Sequence, residues 1–171
     1  EIDNNELQSI VVEALSNTQP CFKDKKCNIE ESWVVLSPPQ NNKRKIVIKS
    51  DIWSTLENYI KRKPLDYRKA LRLTICIGEQ LTALNEAGYG FTHITPKDIM
   101  VIDENWYLIT NLDNAMPLEK EDNIKIMKPL TKSIFLAPEL KTISKLPALV
   151  NQSCGLYSIA TLVLHSLGLE N

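Results

Sequence analysis

"FTHITPKDIMVIDENWYLITNLDNA", residues Phe91–Ala115, is the stretch on which the reading of the chain turns. Two β-rich runs, "DIMVI" and "WYLIT", flank Asp103-Glu104-Asn105, a turn-forming triplet, and together they predict a hairpin. A polar loop stands at each end, "THITPKD" before the hairpin and "NLDNA" after it. Rigid strands that present two polar loops make a good frame for a functional site.

Working outward towards the N-terminus, "PLDYRKALRLTICIGEQLTALNEAGYG" predicts a long central helix. Asp66 is its natural N-cap, Pro64 fixes its entry, and Gly88 and Gly90 stop it. Ala70, Leu71, Leu73, Ile75, Cys76, Ile77, Leu81 and Leu84 give it a broad apolar face. Upstream, "IWSTLENYIKRK" predicts a helix capped by Asp51 and ended before Pro64. "SWVVLSPP" and "RKIVIKS" predict a further hairpin, and "NNELQSIVVEALSN" an amphipathic helix. Towards the C-terminus, residues 116–133 are polar and lysine-rich without clear periodicity, and predict a long loop. "SIFLAPEL" closes that segment, and a buried helix is expected from about Leu156 to Leu167.

The 171 residues suit one compact unit, and 43% hydrophobic with 24% charged residues is ordinary globular composition. A formal net charge of −1 gives no bulk drive towards nucleic acid or an anionic membrane. No apolar run approaches the roughly 18–20 residues that span a bilayer. Cys21, Cys27, Cys76 and Cys154 show no CxxC pair and no zinc-finger spacing. Cys76 and Cys154 lie in apolar helical patterns and read as buried hydrophobes in a reducing, intracellular setting, cytoplasmic or nuclear. Cys21 and Cys27 flank a Lys/Asp cluster, where a disulfide is the less favoured reading. The chain begins at Glu1 rather than methionine, as expected of a piece of a longer protein.

The order of these elements resembles the protein kinase fold. "FTHITPKDIMV" is similar to the family's catalytic loop, "HRDLKPxNILV", and "LITNLDNA" to the "LIDFGxA" segment. His93 stands eighteen positions before Asn111, the separation usual between the two family aspartates. "FLAPEL" matches the closing Ala-Pro-Glu as Ala137, Pro138 and Glu139, and "CGLYSIATLVLHSLG" resembles the helix that follows, "DVWSLGxxLxxLLxG". The resemblance implies an α+β, kinase-like large lobe (C-lobe), mostly helical with short β-hairpins, and only a remnant of the small lobe. Residues 1–50 would be that remnant, a helix plus hairpin, and residues 51–171 the large-lobe core, best treated as one unit.

The departures bear on function. In the family, the loop aspartate orients the substrate hydroxyl, a lysine steadies the phosphate, and an asparagine and an aspartate hold magnesium. Those four positions here are His93, Thr95, Asp98 and Asn111; Phe91 replaces the first loop histidine, Asp113 the glycine after Asp-Phe, and Gly155 the helix aspartate. A neutral amide at Asn111 is a poor grip for a hard dication, and Thr95 carries no positive charge. No GxGxxG loop and no VAIK-like lysine occur, although Glu6 stands where the family's ion-pair glutamate would be. The resemblance thus implies a pseudokinase with no cofactor, no catalytic residue and no metal ligand.

His93 as a general base, or as a ligand with Asp98, is set against a loop residue bonded to backbone, which is the expectation. A cation shared by Asp98 and Asp113 is set against solvated or capping carboxylates, again the expectation. "KDKK" and "NNKRKIVIK" read as solvated turns rather than a nucleic-acid patch. Trp33, Trp53 and Trp106 read either as rings over the local core or as partner anchors. The candidate partner-binding set is Trp53, Tyr59, Trp106, Tyr107, Lys125 and Lys128; Ala137, Pro138, Glu139 and Gly155 are structural. Glu139 lacks the late arginine that pairs with it in the family. The last helix should also leave an apolar face in need of a cover. The functional expectation is a scaffold or allosteric module that binds a protein partner, peptide or folded domain, a larger assembly or the rest of its own longer chain, and neither nucleic acid nor membrane. The alternative is a divergent kinase or nucleotide-binding domain whose ATP-binding lobe lies outside this chain.

Overall fold

Asp66 opens the central helix as its spacing predicts: its carboxylate accepts the Lys69 N–H at 2.9 Å. In the computed structural model, which describes residues 4–18, 34–36, 46–48 and 50–169, this helix (α3) runs Tyr67–Glu86. Ala70, Leu73, Cys76, Ile77, Gln80 and Leu84 recur on its buried face. Gly88 ends it, at a φ of 86° that an L-residue rarely adopts. Gly90 plays a different part from the stop expected of it. It lies in strand β4 (Tyr89–Phe91), where an added Cβ would come within 2.8 Å of the Leu118 side chain.

Helix α1 (Asn4–Thr18) lays Leu7, Val11, Val12 and Leu15 into the same core as α3. Strands β1 (Val34–Leu36) and β2 (Ile46–Ile48) pair antiparallel, as the two β-rich runs predict. Cys21, Cys27, Trp33, "KDKK" and the basic turn before Ile46 lie outside the described residues.

The next segment departs from expectation. Residues 52–63 are not one helix capped by Asp51. Trp53–Thr55 form strand β3, and helix α2 runs Leu56–Arg62 with Thr55 as N-cap, its hydroxyl accepting the Asn58 N–H at 3.3 Å. The cause lies across the sheet. The Asp103 carboxylate accepts the N–H groups of Asp51 and Ile52, both at 3.0 Å, and holds the chain extended beside β5.

Strands β5 (Ile99–Ile102) and β6 (Trp106–Ile109) form the predicted hairpin, with Asp103 and Glu104 both in the left-handed region at its tip. All four residues of β6 are buried, because α3 and α1 cover it. Trp106, 3% exposed, and Tyr107, 0% exposed, are therefore core residues, the first of the two readings open for Trp106, and neither offers its ring to a partner as the candidate set supposed. Gln80 locks β6 to α3: its amide donates to the carbonyls of Cys76 and Tyr107, each at 2.7 Å, and accepts the Ile109 N–H at 2.9 Å.

Residues 116–133 are largely not a loop. Strands β7 (Ala115–Glu119) and β8 (Asn123–Ile126) flank a 3-10 turn over Lys120–Asp122, and β9 (Ala148–Asn151) adds to β8. The antiparallel order is β4-β7-β8-β9. Only residues 127–133 are irregular. In "NIKI", Ile124 and Ile126 point inward and Lys125 outward, a two-residue period too short to stand out from the surrounding charge. Ile124 and Ile126 build a second small core with Leu136, Ala137, Leu140 and Cys154. Helix α4 (Pro138–Lys141) and helix α5 (Cys154–Ser166) complete an α+β architecture.

Candidate functional site

Two loops meet at the foot of the β5–β6 hairpin, and α5 holds the first of them from below. The Ser158 hydroxyl accepts the Ile94 N–H at 2.7 Å and donates to the Ile94 carbonyl at 3.0 Å, so one buried side chain satisfies both polar groups of one residue. One turn earlier, Gly155 lets the helix press against the strand end. A Cβ there would stand 3.0 Å from the Phe91 carbonyl oxygen. The Cys154 thiol donates to the same oxygen at 3.7 Å, and burial pushes its pKa up to about 11. Cys76 and Cys154 are both buried and in no disulfide, as their patterns predict.

Asp98 organises the loops. It is 6% exposed, and its Oδ2 accepts the Thr95 N–H at 2.8 Å and the Thr95 hydroxyl at 2.7 Å. Its Oδ1 accepts the Asn111 Nδ2 at 2.8 Å. Asn111 Oδ1 in turn accepts the Asp113 N–H at 3.0 Å, so the amide is oriented by a donor on one side and an acceptor on the other. The Asp98 carbonyl accepts the Thr110 N–H at 2.8 Å, and the Thr92 N–H reaches the Asn114 carbonyl at 3.3 Å. The two loops are thus fastened by side chains and backbone together.

This arrangement does not fit a divalent cation. Asn111 turns its NH2 group, not its oxygen, towards Asp98, and both Asp98 oxygens already hold donors. Asp113 is exposed and meets Asn111 through its backbone N–H. No group of three or more His, Cys, Asp or Glu side chains converges among the described residues. Phe91 is buried, while Thr95 and Asn111 are half-buried.

His93 is half-buried, with its Nδ1 3.2 Å from the Thr92 hydroxyl. Burial lowers its pKa below the ordinary histidine value of 6.5, partly opposed by the Asp98 charge. A depressed folded pKa means that the unfolded chain takes up this proton first. The contribution of His93 is then full above 6.5 and is lost as pH falls through the folded value. Urea unfolding at about pH 7 and about pH 5 is expected to show a smaller acid loss in His93→Gln than in wild type. Equal losses in both proteins would assign the acid sensitivity elsewhere.

Of the remaining candidates, Trp53 is 66% exposed on β3, and Lys125 and Lys128 are exposed. Tyr59 is half-buried, and its hydroxyl joins Lys69 and Glu104 in a brace between α2, α3 and the hairpin tip. Ala137 is buried, while Pro138 and Glu139 are exposed, and Glu139 forms no ion pair among the described residues. Helix α5 turns Leu156, Tyr157 and Leu164 to solvent. Gln80 and Ser158 escaped sequence reasoning. The available signal for Gln80 was an amide three residues after Ile77 and four before Leu84, within the buried stripe.

The chain matches no protein-family model and no curated protein. No helix among the described residues is long and apolar enough to cross a membrane.

Proposed function

We propose that the chain is a non-catalytic kinase-like module, a pseudokinase large lobe, that acts as a scaffold or allosteric element by binding a protein partner. The observation that carries this reading is the Asp98–Asn111 hydrogen bond. Phosphoryl transfer requires dications held by side-chain oxygens and a cationic group near the moving phosphate. Here the carboxylate at the first position is occupied by Thr95 and Asn111, the second position presents an amide nitrogen, and the lysine position is Thr95. A neutral His93 in place of the loop aspartate supplies no fixed negative acceptor. The sequence motifs that resemble the kinase loops support the fold assignment, and the buried thiols, in no disulfide, suit an intracellular, cytoplasmic setting.

Thermal melting with and without ATP and magnesium separates this reading from a divergent kinase or nucleotide-binding domain. Nucleotide bound at a hundredfold excess over Kd stabilises by about 2.7 kcal/mol, roughly 5–10 °C for a domain of this size. The expected shift is below about 1 °C, and a shift of the full size would instead favour the nucleotide-binding alternative.

A further inference from the structure

Charge is unevenly spread along the chain. Residues 123–151 hold Lys125, Lys128, Lys132, Lys141 and Lys145 against a single acid, Glu139, a formal +4 in a chain of formal net charge −1. All five lysines are exposed. The same stretch supplies the edge of the four-stranded sheet, where β9 has β8 on one side and no described strand on the other. The Gln152 N–H donates to the Asp122 carbonyl at 3.0 Å, which marks residues 122 and 152 as a bonded pair. Bonded and non-bonded pairs alternate along an antiparallel ladder. Ala148 and Val150 therefore bond inward to β8, and Leu149 directs its N–H and C=O away from the sheet. The Leu149 side chain is 63% exposed and lies beside Lys125, its cross-strand neighbour. Next to β9 is a hollow of about 520 Å³ lined by Glu139, Thr142, Ile143, Ser144, Lys145 and Leu149 among others, so that one acid and one lysine share its lining.

We propose that β9 is a docking edge for an extended acidic peptide, which adds as a fifth strand. Its backbone pairs with Leu149, an apolar side chain packs on the Leu149 side chain, and its carboxylates meet Lys125 and Lys145. This names the partner class of the interaction module and rests on that reading. A peptide fits the surface better than a nucleic acid does. An outward main-chain edge is matched by another main chain, residues 123–151 contain no arginine, and their one aromatic residue, Phe135, is buried.

The test uses a fluorescein-labelled decapeptide of alternating Glu and Val, followed by anisotropy and by amide hydrogen exchange of the protein. Binding is expected, with exchange at Leu149 slowed at least tenfold, while a Lys/Val decapeptide does not bind. Lys125→Glu combined with Lys145→Glu should weaken binding at least about tenfold. Leu149→Pro, which removes an outward N–H from an edge strand, should do the same with the melting temperature retained. Binding that leaves Leu149 exchange unchanged, or that a single-stranded oligonucleotide matches in the Leu149→Pro protein, would overturn the proposal in favour of a general polyanion face. A flat anisotropy titration sinks the docking edge alone, whereas a large melting shift with ATP and magnesium sinks the reading beneath it.

Discussion

Gln80→Leu is expected to lower the unfolding free energy by about 3 kcal/mol, seen as a lower urea midpoint with unchanged slope. Leucine is close to glutamine in size, so the loss reports hydrogen bonding rather than a cavity. Gln80 is fully buried, and its amide holds the carbonyls of Cys76 and Tyr107 and the N–H of Ile109. In the leucine variant the Tyr107 carbonyl and the Ile109 N–H lose those partners inside the core. Each such buried group costs about 1–3 kcal/mol. A loss below about 1 kcal/mol would show that water reaches the gap and takes over the bonds.

The second large effect is expected at Asp98. Asp98→Ala removes the acceptor of three hydrogen bonds, two from Thr95 and one from Asn111, and should cost about 2–4 kcal/mol. Asn111→Ala removes the donor to Asp98 and the acceptor for the Asp113 N–H at a half-buried position, and should cost about 1 kcal/mol. The double variant should cost less than the two losses together, since the pair shares one bond. Equal losses from the two single variants would argue that Asp98 is no more central than its partner, and that the loops are held chiefly by backbone.

Much of this architecture was legible from local signals. Asp66 caps α3, the β-rich runs around Asp103-Glu104-Asn105 give the hairpin, and Cys76 and Cys154 are buried. What escaped prediction depends on contacts distant in sequence. Asp51 looks like a cap until the Asp103 side chain, 52 residues away, claims its N–H for a strand. Strands β7 and β8 are too short for their alternation to show among lysines and glutamates, and only pairing reveals them. Trp106 and Tyr107 sit near a hairpin tip, where exposure is a fair expectation, yet α1 and α3 close over them. The two loops themselves were legible as a pair. Their joining bond was not, because spacing alone does not say whether a carboxylate and an amide face a cation or each other.

Gly155 decides what this turn of α5 can carry. Every one-base change at a glycine codon that alters the amino acid introduces a Cβ, and here that atom would meet the Phe91 carbonyl at 3.0 Å. That oxygen is also the Cys154 thiol's acceptor, and Phe91 is paired with Ala115 across the sheet, so its room to retreat is small. A larger residue is therefore accepted there only as far as the strand end can give, a few tenths of an ångström. The tolerance of α5 at this turn is thus set by the strand it leans on rather than by the helix itself.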